Sequence, residues 1–209
     1  MKNLLLIGDS IRRGYDKSVK SSLEGKANVI FPEENCRMTS YVLRYFHEWL
    51  GDVKGEDISV VHWNAGLWDC LRLFEEDPHT PLDVYEHFID RISIRIKKIC
   101  PNAKVVFATS TSVLSEKMDK NFKRYNEEIE EYNKVAVKVA QKHGFIINDM
   151  YSVSTSLPEE AHSDPVHYYT KMGTEAFTNQ VLKFVVPLLG IEENIEYRED
   201  LYTDKPVGI

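Results

Sequence analysis

Leu4-Leu5-Leu6-Ile7-Gly8-Asp9-Ser10 is the stretch on which the reading of this chain turns. Four consecutive aliphatic residues match a strand buried on both faces, as in parallel sheets covered by helices. The run stops at glycine, aspartate and serine, which favour turns. A hydroxyl just past the carboxyl end of a buried strand stands where open α/β sheets bind their ligands. By itself Gly-Asp-Ser is more often a plain strand-to-loop turn, so the weight falls on what else reaches the same sheet edge.

The strand pattern recurs. Ala27–Phe31, Ile58–Trp63, Ala103–Ala108 and Phe145–Ile147 read as four more strands. Between them lie helical stretches with apolar residues three and four apart. Asp16–Leu23 is short; Thr39–Gly51 carries Tyr41, Val42, Tyr45, Phe46, Trp49 and Leu50; Asp83–Ile99 carries Phe88, Ile92, Ile96 and Ile99. Phe122–His143 reads as one long helix whose Glu127, Glu128, Glu130, Glu131, Lys134 and Lys138 form a solvated face. Thr170–Leu189 is the last helix, and 74–82, with Pro78 and Pro81, a surface loop. Alternating strands and helices predict one parallel α/β domain over residues 1–190. Residues 191–209 read as an acidic tail packed on the surface or against a second subunit of a homodimer.

Bulk properties narrow the class. The 209 residues are 43% hydrophobic and 28% charged, the composition of a globular domain, with a formal charge of −7. That sign offers no electrostatic reason to bind nucleic acid or an anionic membrane. The opening apolar run is too short for a signal-peptide core of roughly 7–15 residues, and a cytoplasmic location is expected. Cys36, Cys70 and Cys100 lack metal-site spacing and are expected as buried thiols.

The strand ends gather Asp9 and Ser10, Asn64 and Gly66, and the polar loop Thr109–Ser115 onto one edge. Serine is a weak nucleophile that needs a neighbouring imidazole, itself oriented by a third group. Among seven histidines, His47, His87 and His143 have charged helical neighbours, His62 lies inside a strand, and His79 sits in the proline-flanked loop. His162 and His167 remain, around Ser163-Asp164-Pro165-Val166. Asp164 could simply cap a helical turn begun by Pro165. The same spacing of three would let its carboxylate fix the tautomer of His167.

Gly8-Asp9-Ser10 after the first strand, Asn64-x-Gly66-x-x-Asp69 after the third, and Asp164-x-x-His167 before the last helix together resemble the SGNH (GDSL-type) hydrolases. The resemblance spans Lys2 to about Leu189. It implies a three-layer α/β/α sandwich, flavodoxin-like, on a five-stranded parallel sheet, and hydrolysis of esters without a cofactor. It implies Ser10 as nucleophile, His167 as general base and acid, and Asp164 as orienting carboxylate. For the oxyanion hole it implies the Ser10 N–H, a backbone N–H at Cys36 where the family has glycine, and an asparagine amide. The sequence departs from the pattern there: Gly66-Leu67-Trp68-Asp69 puts tryptophan at the asparagine position, and Asn64 is the expected substitute.

Asp9, Arg12, Asn35 and Trp68 are the further candidates for substrate contact. Arg12 would receive an anion, and Trp68 would stack on a sugar. The expected substrate is a small-molecule ester, with acetylated carbohydrate favoured by polar Asn35, Arg37, Asn64, Thr109 and Ser110. Two other readings stay open. One is a metal-dependent hydrolase using Asp9, Asp69, Asp164 and His167; the other is a binding module whose oxyanion hole has decayed at Cys36 and Trp68.

Overall fold

The structure, a computed structural model, describes residues 1–198. Seven strands form: β1 Lys2–Ile7, β2 Ala27–Ile30, β3 Ile58–Trp63, β4 Arg72–Leu73, β5 Lys104–Ala108, β6 Phe122–Lys123 and β7 Ile146–Asn148. The α-helices are α1 Ser10–Arg13, α2 Asp16–Ser22, α3 Thr39–Tyr45, α4 Leu82–Ile99, α5 Asn126–Lys142, α6 Met150–Ser156 and α7 Lys171–Leu188.

Five strands make one parallel sheet in the order β2-β1-β3-β5-β7. Leu5 pairs with Ile30 on one side and Val61 on the other, so the opening aliphatic run is an interior strand. Leu4, Leu5, Leu6 and Ile7 have no exposed surface. Each such side chain contributes roughly 1.5–3 kcal/mol of burial. Helices α3, α4 and α5 pack side by side, and α2 and α6 pack on α7, giving three α/β/α layers. In α4 the inward face is Tyr85, Ile89, Ile92 and Ile96, the three-and-four spacing expected of a helix laid on a sheet.

Four elements differ from the sequence expectation. The long helix begins at Asn126, not Phe122, because Phe122–Lys123 pairs antiparallel with Arg72–Leu73. The Asn126 side chain fixes that start, accepting from Val113 N and donating to Val113 O, both at 3.0 Å. Helix α3 tightens after Tyr45 into a 3₁₀ turn, Phe46–Glu48. Helix α6 is new, capped by Asp149, whose Oδ1 accepts from Ser152 N at 3.1 Å. The last strand of the sheet runs one residue later than expected, over Ile146–Asn148. Of the tail, Ile191 and Ile195 pack on the core and Lys26 pairs with Glu193; residues 199–209 lie outside the described residues. All three cysteines are buried and free.

Candidate active site

The carboxyl end of β1 runs into Asp9, which caps α1 by accepting from Ile11 N at 3.0 Å. That cap makes Ser10 the first helical residue, and Ser10 is 4% exposed. Gly8 is required by close approach: a Cβ there would stand 2.0 Å from Asn64 Oδ1. The Asn64 side chain therefore lies directly over the backbone leading to Ser10, while Asn64 N donates to Ile7 O at 3.1 Å.

Residues 163–169 come from the other end of the chain. They form a tight turn instead of the helical turn the spacing suggested, closed by Ser163 N donating to His167 O at 2.8 Å. Asp164 Oδ1 accepts from Val166 N and His167 N, both at 2.9 Å. His167 Nδ1 lies 2.8 Å from Asp164 Oδ2 and 3.0 Å from Oδ1. His167 Nε2 lies 2.7 Å from Ser10 Oγ. Burial works against ionising Asp164, but the two backbone N–H groups and the facing imidazole outweigh it and hold the carboxyl below its usual range. The arrangement is a continuous relay from carboxylate through imidazole to hydroxyl, able to take a proton from Ser10 as its oxygen attacks.

Tyr169 supports the imidazole and the serine of that relay. Its ring stacks on His167 at 4.7 Å between centroids, and its hydroxyl donates to Ser10 O at 2.7 Å. Its position two residues after His167 is the only signal of this role in the sequence. Asp69 is buried and accepts from Thr39 N and Thr39 Oγ1, tying the loop after β3 to the start of α3. Burial pushes its carboxyl up to about 7. Asp9 is also buried and its pKa is raised by burial; the Asn64 side chain lies near enough to counter this in part, while Oδ2 has no partner of good geometry.

Several candidates change place. Arg12 does not face substrate: its guanidinium is buried, paired with Asp16 and donating to Glu34 O at 2.6 Å and Gly8 O at 3.4 Å. It holds the Ser10 turn against the loop after β2. Asp9 is likewise sealed beneath the turn and serves as its cap, out of substrate's reach. The Cys36 N–H is consumed by Gly8 O at 3.2 Å, which removes it as a free oxyanion donor. The left-handed backbone position in that loop is Arg37, at φ +50°. Asn35 Oδ1 accepts from Arg37 N at 2.9 Å, leaving Asn35 half-buried at the loop. Trp68 is half-buried and Asn64 is buried beside Gly8. Among the described residues no group of three or more His, Cys, Asp or Glu side chains is arranged to hold a metal ion. Asp9, Asp69 and Asp164 are instead occupied by backbone donors.

Neither a protein-family model nor a curated relative matches the chain at the sequence level. Solved structures do match in shape. A lipase/acylhydrolase from Enterococcus faecalis superposes with a TM-score of 0.69 at 20% identity, covering 91% of this chain and 96% of that one. The acetyl xylan esterase AlAXEase gives 0.69 at 17%, covering 88% and 99%. An acetyl xylan esterase from Geobacillus stearothermophilus gives 0.66 at 16%, covering 92% and 96%. The fold is therefore the α/β/α sandwich of GDSL-like (SGNH) hydrolases, built on a five-stranded parallel sheet.

Proposed function

We propose that the chain is a serine ester hydrolase of the SGNH type, cleaving a small acyl group, such as acetyl, from a polar alcohol. The observation that carries this reading is the unbroken Asp164–His167–Ser10 relay, with contacts of 2.8 and 2.7 Å. In this mechanism His167 Nε2 takes the Ser10 proton while Oγ adds to the ester carbonyl. The tetrahedral oxyanion is held by the Ser10 N–H and the Asn64 amide. Its collapse breaks the ester C–O bond, and His167 returns the proton to the departing alcohol. Water then gives a proton to His167 and attacks acyl-Ser10, releasing the acid and restoring the hydroxyl. For the alcohol we infer a polar, carbohydrate-like group, with half-buried Trp68 in the loop after β3 as a stacking wall.

Release of 4-nitrophenol from 4-nitrophenyl acetate tests the reading. Ser10→Ala and His167→Ala should each lose at least ~10³-fold in kcat. Activity persisting in Ser10→Ala would remove serine from the mechanism.

A further inference from the structure

Gly14, the residue that ends α1, has φ −72° and ψ −21°, a right-handed conformation open to any residue, so its backbone does not call for glycine. Its neighbour does. A Cβ there would stand 2.9 Å from both Cδ1 and Cε1 of Tyr169. The buried Tyr169 ring touches the Gly14 backbone and stacks on the imidazole of His167 at an interplanar angle of 18°. The backbone is arranged to receive its hydroxyl as well. Gly14 N, which a regular helical turn would aim at Ser10 O, donates to Ile11 O at 3.0 Å instead. Ser10 O accepts from the Tyr169 hydroxyl at 2.7 Å. The N–H of the same peptide unit, Ile11 N, donates to Asp9 Oδ1 at 3.0 Å. The peptide that follows Ser10 is therefore pinned at both polar ends, once by the cap and once by a side chain 159 residues further on.

Tyr169 thus touches both residues of the 2.7 Å contact between Ser10 Oγ and His167 Nε2. Those residues ride on separate segments, and a proton passes between them only near hydrogen-bond distance. A displacement of about 1 Å at a reacting pair can cost on the order of a hundredfold in rate. We propose that Tyr169 is a positioning residue: by holding the Ser10 carbonyl and the imidazole face together, it fixes the Oγ–Nε2 separation from which the proton moves, and so sets the rate of acyl transfer to Ser10. The hydroxyl holds the serine side, the ring holds the imidazole side, and Gly14 supplies the space for the ring. This rests on the reading of Ser10 as the nucleophile and adds to it a further residue on which the rate depends.

Two readouts separate positioning from mere packing: steady-state hydrolysis of 4-nitrophenyl acetate, and the rate at which a fluorophosphonate labels Ser10, followed by mass spectrometry. In the labelling Ser10 Oγ bonds to phosphorus, fluoride leaves, and the Ser10 proton passes to His167. Tyr169→Phe should lower kcat and the labelling rate by about tenfold, with KM within about twofold. Tyr169→Leu should lower them by about a hundredfold, so that the ring alone recovers part of the loss. Gly14→Ala should cost about tenfold in the wild-type background and less than about twofold on top of Tyr169→Leu, where the ring it strikes is gone. Variants that unfold at lower urea yet keep the wild-type kcat and labelling rate, corrected for the folded fraction, overturn the inference. So does a loss carried by KM alone, or a Gly14→Ala loss undiminished in Tyr169→Leu. Should Tyr169→Leu fail to fold by circular dichroism, Tyr169→Phe and Gly14→Ala decide it, and unchanged rates in both overturn it. Labelling that depends on Tyr169 in a protein that hydrolyses no ester keeps the positioning role and sinks the hydrolase. Hydrolysis lost in Ser10→Ala but indifferent to Tyr169 does the reverse. Wild type that neither hydrolyses the ester nor labels at Ser10 overturns both.

Discussion

Replacing Asp164 by asparagine should disable the relay while leaving its scaffold in place. Oδ1 accepts from the backbone N–H groups of Val166 and His167, and Oδ2 is the nearer oxygen to Nδ1, at 2.8 Å. An asparagine must keep its oxygen at the Oδ1 position, because turning it would set an NH₂ against two N–H donors. Each such bond is worth about 1 kcal/mol, and the donor clash adds the cost of leaving both unsatisfied. The NH₂ is then presented to Nδ1, which must accept. The ring proton moves to Nε2, and Nε2 loses the lone pair that would take the Ser10 proton. A wrong tautomer of this kind lowers kcat about ten-thousandfold in a serine protease, ~5 kcal/mol of barrier. The assay is initial-rate hydrolysis of 4-nitrophenyl acetate, with thermal unfolding as the control for folding. Activity of Asp164→Asn within about tenfold of wild type would refute the tautomer argument.

Three further outcomes follow from the packing. Gly8→Ala places a Cβ 2.0 Å from Asn64 Oδ1 and 2.8 Å from Arg12 Cβ, so it should cost about 1–3 kcal/mol in urea unfolding and displace the Asn64 donor, lowering kcat; unchanged stability and rate would contradict the close approach. Arg12→Met leaves Asp16 buried without its partner and should destabilise by about 3–5 kcal/mol, measured by chemical denaturation. Asp69 has a folded-state pKa of about 7, raised by burial, so its contribution to stability is fully present below the unfolded carboxylate range near pH 4 and is lost as pH rises to about 7. Asp69→Asn should flatten that slope in unfolding measured from pH 4 to 8, and parallel wild-type and variant curves would show that Asp69 does not titrate in the folded state.

The sheet was legible because parallel strands buried on both faces are rich in apolar residues: β1 carries an unbroken aliphatic run, and β3 and β5 carry Val60-Val61 and Val105-Val106-Phe107. Helices α4 and α7 announced themselves by spacing. Helix α6 did not: Ser152, Ser154, Thr155 and Ser156 form helices poorly, and only Met150 and Ser154 are buried, so no apolar period exists to read. The β4–β6 pair is two residues per strand, too short for any alternation. At the site, Ser10, Asp164 and His167 were visible as residue types at turn-prone positions. What hid Arg12 is that burial of a guanidinium depends on partners far away in sequence, here Glu34. The same limit hid the state of Cys36, whose N–H is taken by Gly8 O, a pairing between distant segments that residue type does not disclose.

The contact between Ser10 Oγ and His167 Nε2 joins residues 157 positions apart. On one side of it is a turn braced by an interior strand, and on the other a seven-residue turn held by Leu114 N donating to Pro165 O at 2.8 Å and by the Tyr169 hydroxyl. Closing so long a chain segment is among the costlier steps in forming the site, and the segment 163–169 offsets it by burying Val166, Tyr168 and Tyr169, the first two in the main core. Turnover should therefore vanish together with the sheet's circular dichroism signal as denaturant is added. Measured side by side, the two curves gauge how firmly one end of the chain is docked on the other.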